Sequence, residues 1–254
     1  MYINKKLLLI ALLFTGAQVL LAQSKADIIK QESKYYKIVD VPIPKDVILE
    51  VGGLALTTVV TGAFNTAVGY NALTTNTADN NTGVGSNALR DNTTGTANAA
   101  FGGSALLDNE TGSYNTALGV SSLENLISGN SNIAMGFAAG LQLTTGANNV
   151  ALGRQAMTAQ TSASNNVAVG HNALYSNITG TTATAVGYQA LFNSTNSGNT
   201  AVGYQAGVST TSGTPNTFVG ASAGALNTGG SNNVAVGTNA LYSNADTNFN
   251  TAIG

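Results

Sequence analysis

The sequence predicts an all-β fold, a parallel β-solenoid of about twelve 17-residue coils, and three observations carry that prediction. From residue 62 onward the pattern Asn-x-Ala-(apolar)-Gly-x-x-Ala-Leu recurs, with its glycine at Gly69, Gly85, Gly102, Gly119, Gly136, Gly153, Gly170, Gly187, Gly203, Gly220, Gly237 and Gly254. Nine of the eleven spacings are 17 residues and two are 16. A fixed short period marks an array in which each coil buries its apolar face only against its neighbours. Seventeen residues are also too few for the paired helices of a helical solenoid, and the apolar positions alternate, as in Val167-Ala168-Val169 and Val234-Ala235-Val236. Finally, only 8% of residues are charged and 30 of 254 are glycine, a composition foreign to a solvated helical bundle.

In chain order, residues 1–22 read as a signal peptide. Lys5 and Lys6 precede an apolar run from Leu7 to Leu21, shorter than the ~20 residues a membrane span needs. A secreted or cell-surface location follows. Residues 23–60 hold ten of the twenty formal charges and form a lead-in and cap. Pro42 and Pro44 impose extended backbone there, and Val47 to Gly53 reads as a strand ending in a turn. Residues 61–254 are the repeat array.

Within each coil, the residues one and three places before the glycine share a face and are expected to point inward, with the alanine between them on the other side. A second short strand is expected at the Ala-Leu pair. A further glycine ten places on (Gly95, Gly112, Gly129, Gly146, Gly180, Gly213, Gly230) marks a corner expected to need positive φ. The asparagine four places before the glycine is present in eleven of twelve copies: Asn65, Asn81, Asn98, Asn115, Asn132, Asn149, Asn166, Asn199, Asn216, Asn233 and Asn250, with Ala183 the exception. Amides stacked ~4.8 Å apart can hydrogen-bond up the axis, and asparagine tolerates the left-handed backbone of a corner, so a structural ladder is expected for the Asn and Gly columns.

The same inventory excludes much chemistry. With no cysteine there is no disulfide, thiolate metal site, cysteine nucleophile or lipid-anchored N-terminus. A net charge of −2 builds no basic stripe for nucleic acid. The array's acids, Asp79, Asp91, Asp108, Glu110, Glu124 and Asp246, fall at scattered phases, so no carboxylate pair for acid–base work is expected. No phosphate loop or calcium-binding β-roll motif occurs. The expectation is therefore no catalytic residue, no metal and no cofactor, with His171 a surface variant of the position after the motif glycine. That position also carries Tyr70, Phe137, Tyr188 and Tyr204, which could stack into an edge that binds sugar or protein.

Segments such as Asn148-Asn149-Val150-Ala151-Leu152-Gly153 and Ser131-Asn132-Ile133-Ala134-Met135-Gly136 resemble the Ser-Asn-Ser-Val-Ala-Ile-Gly motif of YadA-like heads of trimeric autotransporter adhesins. The resemblance covers about residues 62–254 and implies a left-handed β-roll, three chains side by side, and a surface role binding host or environmental protein or glycan. Asn199-Thr200-Ala201-Val202-Gly203-Tyr204 is also similar to repeat arrays of tail-fibre-like proteins, the alternative being a structural shaft. The period is longer than the adhesin family's usual coil, and no stalk or outer-membrane barrel follows Gly254, so the chain reads as a fragment whose anchor is unknown. A homotrimer is expected on physical grounds too, because a lone rod would leave an Ala-rich face wet. Thr66, Thr82, Thr116, Thr184, Thr200, Thr217 and Thr251 at one repeat position suggest a third function, ice binding; an inward orientation of that column counts against it.

Overall fold

The computed structural model describes residues 49–57 and 62–254. The signal peptide and most of the lead-in lie outside the described residues. The described chain is an all-β solenoid of ~17-residue coils without helix, each coil contributing one three-residue strand. In order these are β1 (Leu49–Val51), β2 (Thr66–Val68), β3 (Thr82–Val84), β4 (Ala99–Phe101), β5 (Thr116–Leu118), β6 (Ile133–Met135), β7 (Val150–Leu152), β8 (Val167–Val169), β9 (Thr184–Val186), β10 (Thr200–Val202), β11 (Thr217–Val219), β12 (Val234–Val236) and β13 (Thr251–Ile253). They form a single parallel sheet in sequence order, so every strand pairs only with the coils before and after it. At ~4.8 Å per strand the sheet is roughly 58 Å long. The strand expected before Gly53 is present as β1, and it pairs with β2 in the register of the array.

The facing of the strands is the reverse of the sequence expectation. The central residue of each triplet points inward, and Ala67, Ala100, Ala117, Ala134, Ala168, Ala185 and Ala201 are fully buried. The flanking Val, Thr, Ile, Leu, Met and Phe point outward, half-buried or exposed. Period-two alternation shows which residues share a face but not which face is inside, and coil width decides the matter. Only alanine leaves room opposite it for the leucine four places after the motif glycine, and Leu73, Leu89, Leu106, Leu174 and Leu191 fill that room completely.

The Ala-Leu pair, expected as a second strand, is a run of tight turns. In the first full coil Asn71 (φ 56°) and Leu73 (φ 51°) are left-handed, and the same two positions repeat up the array. A positive φ at the third residue of a turn is the type II signature, matched by the Ala72 N–H donating to the Gly69 carbonyl. Left-handed leucine costs about 1–2 kcal/mol per residue. Burial of the side chain offsets that cost, and the Leu73 N–H donates across to the Ala88 carbonyl of the next coil at 3.0 Å.

The second corner also differs from expectation. Gly95, Gly112, Gly129, Gly146, Gly180, Gly213 and Gly230 are not at positive φ. The left-handed residue of that corner is the one just before the motif asparagine, such as Phe64 (φ 59°), Asn148 (φ 58°) or Asn165 (φ 62°), and the motif asparagines themselves are not left-handed. Glycine is required here for closeness: a Cβ at Gly129 would strike the Gly146 carbonyl of the next coil.

Candidate functional site

Two surface features and one internal ladder could carry function. The ladder is built from the motif asparagines, all nearly or wholly buried except Asn250 in the last coil. The Asn149 Oδ1 accepts the Asn166 backbone N–H (3.0 Å), while the Asn149 Nδ2 donates to the Ala163 carbonyl (2.9 Å) and to the Asn132 Oδ1 (3.0 Å). Most rungs are thus side chain to backbone, with direct amide-to-amide bonds at four of them. Each carboxamide before the last coil ties its coil to the next, those at the four amide-to-amide rungs also reach back to the coil before, and nothing in the geometry leaves them free for a ligand. The motif glycines serve the same stacking: Gly153 has φ 134°, and a Cβ there would lie 2.6 Å from the Gly170 carbonyl oxygen.

Sequence reasoning missed two further ladders. Seven places after the motif glycine runs a buried column in which the Asn92 Nδ2 donates to the Asn76 Oδ1 (2.6 Å) and the Asn109 Nδ2 to the Asn92 Oδ1 (2.7 Å). Leu126 and Leu143 then interrupt it, leaving the Asn109 Oδ1 without a partner, and both polar atoms of buried Gln160 are likewise unpaired. Threonines at the second corner form the other: the Thr93 hydroxyl donates to the Glu110 carbonyl (2.8 Å), and Thr195 to Thr211 (3.0 Å). The recurrence of Asn and Thr at these phases was the available signal.

The first surface feature is the column just after the motif glycine. On five successive coils it carries Phe137, Arg154, His171, Tyr188 and Tyr204. The Arg154 guanidinium lies 5.9 Å from the Phe137 ring centroid. His171 meets Tyr188 edge-on at 5.5 Å, and Tyr188 stacks on Tyr204 at 5.3 Å with 9° between the rings. His171, which the sequence offers only as a variant, therefore continues the tyrosine stack, while Arg154 pairs with Phe137. Tyr70 does not join it, standing four coils below Phe137 with its ring beside Gly53. Nearby, Tyr175 and Phe192 stack at 5.1 Å. Each aromatic pair contributes about 0.5–1.5 kcal/mol and fixes ring orientation, so the exposed area of Tyr188 (41%) and Tyr204 (54%) is already ordered.

The second feature is the outer face of the sheet. It presents two columns of Thr, Val and other apolar side chains with no charged residue from Thr66 to Ile253. Because the alanines are inside, the argument that a wet alanine face compels trimerisation no longer holds; the uncovered apolar surface is this strand face instead.

The acids are less scattered than their phases suggest. Asp91 and Asp108 lie close enough to interact, and Arg90 bridges them, 2.5 Å from Asp91 and 3.9 Å from Asp108. Partial burial, reinforced by the neighbouring Asp91 carboxylate, raises the Asp108 pKa above the usual carboxylate value. Among the described residues no group of three or more His, Asp or Glu is placed to hold a metal ion. Comparison with protein-family models, with curated proteins and with solved structures finds no match for this chain.

Proposed function

We propose that this protein is a non-enzymatic, secreted or cell-surface solenoid that mediates attachment, as an adhesin head or a segment of an extracellular fibre. The observation that supports this reading best is the pre-stacked run His171–Tyr188–Tyr204, with Arg154 over Phe137 on the two coils before it. Rings already ordered by their neighbours lose little freedom on binding, and tyrosine offers large contact area with a polar tip. The partner is a glycan or a surface protein that contacts several coils at once, so that weak equivalent contacts sum. Residues 62–254 carry only two cations, and Arg90 is paired with Asp91 while Arg154 lies over Phe137. Binding is accordingly expected to change little with ionic strength.

The test is a glycan and matrix-protein array probed with the intact chain and with a variant in which Phe137, Tyr188 and Tyr204 are all changed to Ser. Loss of binding on the triple change, with single changes weak, is the expected result. Equal binding by both proteins would overturn the aromatic-edge reading. Binding by neither would do the same and favour a purely structural shaft, a role to which the uniform Asn and Gly columns are equally suited.

A further inference from the structure

We infer that the outer strand face is a binding surface for ordered water, namely the surface of ice, a partner distinct from any that the aromatic column would hold. It extends the attachment reading and is tested on different residues. Over the six strands β8 to β13 every outward residue is β-branched: Val167, Val169, Thr184, Val186, Thr200, Val202, Thr217, Val219, Val234, Val236, Thr251 and Ile253. Such side chains have restricted χ1, so the face is flat and stiff before anything binds. Strand pairing keeps them in strict register, Thr184 beside Thr200 and Thr200 beside Thr217, without a bulge. The result is a two-dimensional grid, ~4.8 Å between strands and ~6.6 Å between alternate residues along a strand. The strand spacing lies near the basal-plane oxygen repeat of hexagonal ice.

Three further observations favour that occupant. Uncharged columns impose no ion hydration on the water above them. The threonine hydroxyls of this face have no protein partner among the described residues, whereas Thr93, Thr195 and Thr211 at the corner donate to carbonyls of the next coil. Free hydroxyls beside fixed methyls can join a water lattice, but a dry interface with another protein would leave them unpaired at a cost. Lastly, over β8 to β13 the face keeps one β-branched character while the position after the motif glycine varies from His to Tyr to Ala to Thr, so the fitting partner is one with a translational repeat of its own. The alanines behind β8, β9, β10 and β12, and Phe218 in β11, are fully buried and hold the grid rigid from within.

The experiment measures thermal hysteresis and ice-crystal shape with the full chain, alongside variants Thr200→Tyr and Thr217→Tyr on the face and Ile178→Tyr, an equally bulky change at an exposed corner. Circular dichroism and melting establish that each variant is folded, and sedimentation equilibrium is run on the intact chain and on Val202→Lys. The expected outcome is hysteresis with faceted crystals at micromolar protein, falling about tenfold or more in either face variant and unchanged in the corner variant. Absence of hysteresis in the folded chain would overturn the inference, as would hysteresis untouched by the face variants. A stable oligomer that dissociates on Val202→Lys would overturn it in favour of a second copy covering the face. The glycan array reads out the tyrosine column alone, so failure there and failure here are separate results.

Discussion

Ala183 stands where eleven other coils carry asparagine, and it shows what a single rung contributes. The Ala183 N–H still donates to the Asn166 Oδ1 (2.8 Å), but the methyl group has no oxygen to offer the Asn199 N–H one coil on. At an intact rung, by contrast, the Asn216 N–H donates to the Asn199 Oδ1 at 2.9 Å. Ala183 is 1% exposed, so water cannot readily substitute. Restoring the rung with Ala183→Asn is expected to raise stability by about 1 kcal/mol, the net worth of a hydrogen bond that meets an otherwise poorly satisfied buried group. Denaturant unfolding of the two proteins measures it. In the reverse direction, Asn149→Leu strands the Asn166 N–H and the Ala163 carbonyl together and should cost about 1–3 kcal/mol. Lower stability in Ala183→Asn than in the parent would mean that the corner at this 16-residue coil is too tight for the amide.

At the scale of one coil, the interior is a size-matching problem, and the exceptions to the repeat solve it in pairs. Gly207 and Gly224 replace the usual leucine four places after the motif glycine, and between them Phe218 replaces the usual strand alanine. A Cβ at Gly224 would lie 2.5 Å from the Phe218 Cδ1, and one at Gly207 2.7 Å from its Cδ2, so a single ring fills two leucine sites. Phe218→Ala alone should lose about 3–5 kcal/mol by opening a cavity. Adding Gly207→Leu and Gly224→Leu returns the coils to the pattern of their neighbours, whose leucines sit at the same positive φ, and should recover most of that loss. Additive destabilisation in the triple variant would show that the coils are not interchangeable. The compensation was visible in the sequence as three departures from one motif, but without knowing that alanine faces inward there was no reason to connect them. The solenoid and its period were legible because identical spacing admits little else. The strand facing was not, since Ala, Val and Thr are all acceptable on either side of a strand and only the narrowness of the coil decides between them.

Along the whole molecule, each coil touches only the coils on either side, so stability is a chain of nearest-neighbour couplings rather than one shared core. The same limit explains why the aromatic column was only half legible: the glycine-plus-one phase predicted Tyr188 above Tyr204, but the continuation through His171 and the pairing of Arg154 with Phe137 depend on ring and guanidinium orientation, which spacing does not specify. Nearest-neighbour coupling also predicts how damage travels. Gly153 lies near the centre of the array with φ 134°, a region essentially closed to other residues, and its missing Cβ leaves room for the Gly170 carbonyl. Gly153→Ala must shift backbone against backbone and should weaken the coupling of β7 to β8 by at least about 3 kcal/mol. Hydrogen exchange is the direct probe. Amides bridging these coils, such as Asn166 N–H to Asn149 and Val150 N–H to Asn166, should lose protection first, while those at β3 to β5 and β11 to β12 keep theirs. A uniform fall in protection from end to end would mean instead that the array unfolds as one cooperative unit, with coupling between coils strong enough to spread a central defect over the full length.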